Sequence, residues 1–104
     1  MTQLSVRYTA HPEPALEVIL ADSYLDVTVN EEIRKAIDKH WREDLRVLNI
    51  DCAAVEFMDS SGVGLLVSYH KKLEGGRKIR LKNLRPAIRG VFTLLCLEDL
   101  FEFV

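Results

Sequence analysis

The chain has 104 residues, which is the length of a single domain. Hydrophobic residues make up 48% of it and charged residues 29%, an ordinary composition for a globular protein with one modest core. The formal net charge of −2 argues against a chain-wide attraction to nucleic acid or anionic lipid, so we expect neither as a partner.

The N-terminus, the apolar runs and the cysteines indicate the compartment. The first ten residues lack the basic start and apolar stretch of a secretory signal, and no apolar run reaches the ~18 residues of a membrane span. Cys52 and Cys96 are not in a metal-type spacing, and so sparse a pair indicates reduced packing residues. We therefore expect a cytoplasmic protein.

The first half of the chain predicts a hairpin, a helix and a strand. Residues 5–9 alternate, and residues 15–21 are rich in aliphatic side chains, so these two segments are expected to pair. Thr28 and Glu31 form a capping-box pattern that predicts the helix start. Residues 46–52 predict a strand buried on both faces. The apolar face of this first helix comprises Val29, Ile33, Ala36, Ile37 and Trp41.

The second half predicts two helices and two strands. A helix is expected over residues 61–74, ended by two glycines at 75–76. Residues 78–83 alternate as a strand, Pro86 opens a third helix, and residues 100–104 form a closing strand. The inner faces are predicted to comprise Val63, Leu66, Val67, His70 and Leu73 in the second helix, and Ile88, Val91, Phe92 and Leu95 in the third.

The order of these elements predicts the fold class. Strands and helices alternate after the hairpin, without repeats or low-complexity segments. Such an order indicates an α/β fold with a mixed, largely parallel β-sheet and crossover α-helices.

Most of the candidate functional sites have little support in the sequence. His11, His40 and His70 have no metal-type spacing, so we expect neither a metal site nor a cofactor. The stretch "DSSGVG" has Asp59 where the nucleophile elbow of hydrolases needs glycine, and it lacks the Lys-Ser/Thr pair of a phosphate-binding loop. We expect no catalytic residue. Six basic residues between positions 77 and 89 alternate with apolar ones, which favours the wet face of a strand that resists edge pairing.

The stretch "DSSGVG" permits two interpretations. Asp59 or Ser60 could simply cap the second helix by accepting hydrogen bonds from its free N–H groups. A serine at a helix N-terminus is also suited to carry a phosphate, because free N–H groups and the helix dipole favour an anion. Gly62 and Gly64 could serve close helix–sheet packing, or they could let a partner's active site approach the serine.

"FMDSSGVGLLVSYHKKLEGG" resembles the signature of the STAS domain family, in particular the bacterial anti-sigma factor antagonists. The likeness continues upstream in "SYLDVTVNEEIRKAI" and downstream in "LRPAIRGVFTLLCLEDLFEF". It departs from the family where Ser23 and Cys96 replace glycines and where the sequence stops at Val104, since many members carry a further C-terminal helix.

The resemblance implies a function and its residues. The serine after the aspartate is phosphorylated in the family, which corresponds to Ser60. The unphosphorylated protein is then expected to bind an anti-sigma factor with serine kinase activity, and a metal-dependent serine/threonine phosphatase would restore it. Because loops gather at one end of such a sheet, we expect Tyr24 and Leu25 to add apolar contact. The expected binding surface comprises Ser23, Tyr24, Leu25, Asp26, Thr28, Asp59, Ser60, Ser61, Gly62 and Gly64.

Two alternatives remain. The chain could be a STAS scaffold subunit of a stress-signalling or lipid-transport complex, in which Ser60 is never modified. A phosphotransfer enzyme or hydrolase is a further class, although the sequence shows no base, metal cluster or phosphate loop for it.

Overall fold

The computed structural model describes residues 4–73 and 78–104. Within these ranges, strands and helices alternate after an N-terminal hairpin, as the sequence predicts. The strands are β1 (Ser5–Thr9), β2 (Ala15–Ile19), β3 (Tyr24–Leu25), β4 (Val47–Asp51), β5 (Phe57–Met58), β6 (Lys78–Lys82) and β7 (Glu102–Phe103). The helices are α1 (Val27–Lys39), α2 (Ser60–Lys72) and α3 (Pro86–Leu94), followed by a short 3₁₀ turn at Glu98–Leu100.

The main sheet is mixed and largely parallel, which confirms the predicted fold class. Its strand order is β1-β2-β4-β6-β7, with β1 antiparallel to β2 and the other pairs parallel. Each helix joins two neighbouring strands, and every step moves in the same direction across the sheet. Because such crossovers are right-handed, they place the helices on one face. No helix among the described residues is long and apolar enough to span a membrane.

The opposite face of the sheet carries a polar row across all five strands. The members lie side by side in register, and they are Arg7, Glu17, Asn49, Arg80 and Glu102. The Asn49 amide donates to Glu17 (3.1 Å), and Arg80 Nε donates to Glu102 (2.9 Å). The prediction that β4 is buried on both faces is therefore wrong. The basic residues of β6 guard no edge either, since β6 pairs with a strand on each side.

Helix α1 starts two residues earlier than a cap at Thr28 would place it, and its cap is Asp26. One carboxylate oxygen, Oδ1, accepts from the backbone N–H of Thr28 (3.0 Å) and from its hydroxyl (2.5 Å). The prediction that Thr28 caps the helix is therefore wrong, because Thr28 is a donor to the cap. The predicted inner face holds, with Ile33 and Ile37 fully buried.

Helix α2 buries one large residue that the sequence analysis missed. Tyr69 is 1% exposed, its hydroxyl donates to Asp38 Oδ1 (2.7 Å), and its ring lies 5.6 Å from that of Trp41. Leu65 is buried as well, whereas the predicted Val67 and His70 are only partly buried. The glycines expected to end this helix lie outside the described residues.

The third helix begins at Pro86, as predicted, and buries Ile88 and Phe92. Leu95, predicted inward, follows the last helical residue and is 48% exposed. Cys96 then adopts a left-handed backbone with φ of 58°, a conformation that favours glycine. Cys96 is exposed and is therefore no packing residue, whereas Cys52 is fully buried as expected.

Candidate functional site

The region around the "DSSGVG" stretch is organised by the short parallel strands β3 and β5, which were expected to be loops. Tyr24 pairs with Phe57 and Leu25 with Met58. The carbonyl of Ser23 accepts from the N–H groups of residues 56 and 57 at 2.7 and 3.0 Å, and the Leu25 carbonyl accepts from Asp59 N–H (3.3 Å). The segment from Ser23 to Asp26 therefore lies beside the start of α2, as the sequence analysis expected.

The small sheet has an apolar inner side and an aromatic outer side. Leu25 and Met58 are buried, at 1% and 4% exposure. Tyr24 and Phe57 point outward, at 61% and 49%, with ring centroids 5.6 Å apart. The expectation that Leu25 adds contact surface is therefore wrong, because its side chain belongs to the core. Phe57 was missed, although the alternation from buried Met58 places the preceding residue outward.

The sequence left two candidates for the cap of α2, Asp59 and Ser60, and the structure shows that Asp59 is the cap. Its Oδ1 accepts from the Ser61 N–H (2.9 Å), the Ser61 hydroxyl (2.6 Å) and the Gly62 N–H (3.0 Å). The Ser61 hydroxyl, followed by the Gly62 N–H, holds the pKa of the Asp59 carboxyl below its usual value. Asp59 therefore places a fixed negative charge at the helix start.

The two serines have different surroundings. Ser61 is partly buried and its hydroxyl is bonded to Asp59. Ser60 is exposed, and its hydroxyl makes no hydrogen bond within the part of the chain that the structure describes. Of this pair, only Ser60 offers an unengaged and accessible oxygen.

The helix start does not offer the anion site expected from the sequence. Asp59 already accepts the N–H groups of Ser61 and Gly62, and its carbonyl accepts that of Val63 (3.1 Å). A phosphate on Ser60 would be attached one residue after this carboxylate, at a helix start where the N–H groups of Ser61 and Gly62 are already bonded. The start of α2 therefore holds fewer free N–H donors for an anion than the sequence predicts.

The two glycines of α2 have different roles in packing. A Cβ at Gly62 would lie 2.6 Å from the Leu25 carbonyl oxygen and 2.8 Å from Met58 Cγ, so this position requires glycine. A Cβ at Gly64 would meet no atom within 4 Å. Helix–sheet packing therefore explains Gly62 and does not explain Gly64.

No group of three or more His, Cys, Asp or Glu side chains within residues 4–73 and 78–104 could hold a metal ion. Apart from the buried Leu25, the residues of the predicted binding surface lie at the paired β3 and β5 strands and at the starts of α1 and α2. Gly62 is buried too, so its place in that surface was predicted wrongly. Thr28 is exposed at the start of α1, with its hydroxyl bonded to Asp26.

Comparison with known proteins identifies the fold. The sequence model of the STAS domain matches residues 10–104. Comparison with curated proteins gave no match. Among solved structures, the unphosphorylated form of the anti-sigma factor antagonist SpoIIAA is similar to this chain with a TM-score of 0.74 and 24% identity. That alignment covers 96% of this chain and 88% of the other.

Two further structures support the same fold. The phosphorylated form of the Bacillus cell fate determinant SpoIIAA aligns with a TM-score of 0.68 and 24% identity, covering 96% of this chain and 91% of that one. An anti-sigma factor antagonist from Mycobacterium paratuberculosis aligns with a TM-score of 0.77 and 23% identity, covering 97% and 85%. At 23–24% identity, these TM-scores show that the chains share a fold.

Proposed function

This chain belongs to the STAS domain family, and we propose that it is a cytoplasmic anti-sigma factor antagonist whose binding is switched by phosphorylation of Ser60. The observation that carries the proposal is the contrast between the two adjacent serines. Ser61 is bonded into the cap of α2, whereas Ser60 is exposed and unengaged beside an ionised Asp59. The similarity in fold to the two SpoIIAA forms, one unphosphorylated and one phosphorylated, supports this assignment.

The proposed partners are those that the family resemblance implies. The unphosphorylated chain binds an anti-sigma factor that is also a serine kinase, and that kinase transfers phosphate from ATP to the Ser60 oxygen. A metal-dependent phosphatase removes the phosphate and restores binding. In this cycle the chain is a binding protein and a substrate, not an enzyme.

Local electrostatics can drive the switch without refolding. A phosphoserine adds about 1.5 to 2 negative charges at pH 7. Here it would stand next to Asp59, whose carboxylate is held in place by three hydrogen bonds. When a partner covers this surface, water is excluded and the repulsion between the two charges grows. A loss of about 2.8 kcal/mol lowers affinity a hundredfold.

The test compares Ser60→Ala with Ser60→Asp. The alanine variant keeps the charge of the surface and should bind the anti-sigma kinase as the unmodified chain does. The aspartate variant adds one charge beside Asp59 and should bind at least tenfold more weakly, less than the effect of a phosphate because a carboxylate carries one charge. Calorimetric titrations measure both affinities, after circular dichroism shows that both variants are folded. Equal affinities would rule out the switch and favour a scaffold subunit.

A further inference from the structure

The fold does not explain the glycine at position 64. Gly64 lies within α2 and is exposed, and a Cβ there would have no atom within 4 Å apart from its chain neighbours and the backbone of its own helix. Glycine inside a helix is less stable than alanine, because it loses more backbone entropy on folding. At position 62 the glycine has a structural reason, because the helix backbone there packs too closely against Leu25 and Met58 to leave room for a Cβ. Gly64 makes no such close approach to any of the described residues.

The position of Gly64 relative to Ser60 suggests another reason. The two residues are four apart, so they lie on the same face of α2 with ~5–6 Å between their Cβ positions. Side chains on a helix lean toward its N-terminus. A side chain at position 64 would therefore extend toward Ser60 and cover the surface beside its hydroxyl.

We infer that Gly64 is a positioning residue that keeps this surface open for the catalytic cleft of the kinase that modifies Ser60. The inference rests on the proposed function. In the transfer, the Ser60 oxygen attacks the γ-phosphorus of ATP, the bond from that phosphorus to the bridging oxygen breaks, ADP leaves, and the hydroxyl proton passes to a base of the kinase. The reacting atoms must approach to about 3–3.5 Å.

The geometry of the acceptor makes this clearance necessary. Ser60 is the first residue of α2, and Gly64 lies one helical turn later on the same face. A cleft that closes on Ser60 must also pass over Gly64. Misplacement of reacting groups by about 1 Å can cost a hundredfold in rate, so a single added side chain at this position should slow the transfer.

The experiment compares Gly64→Ala and Gly64→Leu with Gly90→Ala. Gly90 is a matched control, because it lies in α3, is exposed, and has no atom within 4 Å of an added Cβ. Both alanine variants should raise the thermal midpoint, by roughly 4–8 °C each. Initial rates with the anti-sigma kinase and magnesium ATP should show kcat/KM about tenfold lower for Gly64→Ala, lower still for Gly64→Leu, and within twofold of wild type for Gly90→Ala.

The pairing of higher stability with slower phosphorylation separates this role from a structural one. If Gly64→Ala is destabilised, the fold needs this glycine and the inference is wrong. If Gly64→Ala reacts as fast as Gly90→Ala, the clearance is not needed, and this holds even if the leucine variant does not fold. If the wild-type chain takes no phosphate at Ser60, the proposed function fails and the role of Gly64 fails with it.

Discussion

The carboxylate of Asp59 accepts a hydrogen bond from the hydroxyl of Ser61, with 2.6 Å between Oδ1 and Oγ, whereas the Ser60 hydroxyl makes no hydrogen bond among the described residues. Two chemically identical side chains thereby become different. One completes the helix cap, and the other remains available to a partner. Under the proposed function, the cap of α2 would thereby decide which of the two serines is modified.

The first prediction concerns which serine is modified. Ser61→Ala should still accept one phosphate from the kinase, while Ser60→Ala should accept none, because the Ser61 hydroxyl is partly buried and bonded to Asp59. Peptide mapping by mass spectrometry after reaction with magnesium ATP distinguishes the two positions. Phosphate found mainly on Ser61 or on Thr28 would contradict the assignment.

The second prediction concerns the cap itself. Hydrogen bonds to the ionised carboxylate lower the pKa of Asp59 in the folded chain relative to its unfolded value of ~3.9. The stabilisation is therefore fully present above that value and is lost as pH falls through the lower folded pKa. Asp59→Ala should unfold at a lower urea concentration at pH 7, and its difference from wild type should shrink below pH 4. A difference that stays constant from pH 7 to pH 3 would show that the charge contributes nothing.

The third prediction concerns the close contact at Gly62. A Cβ there would lie 2.6 Å from the backbone oxygen of Leu25, which cannot move without disturbing β3. Gly62→Ala should therefore cost about 1–3 kcal/mol of unfolding free energy, measured by urea denaturation. The effect is opposite in sign to that expected at Gly64 in the same helix. A neutral or stabilising result would mean that the backbone of β3 can shift to make room for the added Cβ at little cost in free energy.

The long elements of the fold could be predicted from the sequence, whereas the very short ones could not. The long periodic segments that became α1 and α2 were recognised, and the register of hydrophobic residues in β6 was correct, with Ile79 and Leu81 buried. Strands β3 and β5 were not predicted, because two residues carry no period. They form because Leu25 and Met58 are drawn into the core and bring their backbones together.

The errors in the predicted core have specific physical causes. Tyr69 was missed because a tyrosine that buries its ring still needs a partner for its hydroxyl, and the sequence does not show that Asp38 lies across from it. Leu95 was assigned inward by helical spacing, but the helix had already ended one residue before it. The cap was misplaced because Thr28 is also a good capping residue, whereas in the structure Thr28 donates two hydrogen bonds to the carboxylate of Asp26.

The last prediction concerns the aromatic pair beside Ser60. Tyr24 and Phe57 are exposed and their rings contact each other at a tilt of 40°, so removing either should change folding stability by no more than about 1.5 kcal/mol. Aromatic residues at the centre of an interface often contribute more than 1 kcal/mol to binding. Tyr24→Ala and Phe57→Ala should therefore each weaken binding of the unphosphorylated chain to the anti-sigma kinase at least fivefold. Leu94→Ala is the control, because Leu94 is 82% exposed on α3 and outside this surface. If calorimetric titrations give all three variants the same affinity as wild type, the aromatic pair lies outside the interface, and the partner must approach Ser60 from the side of α2.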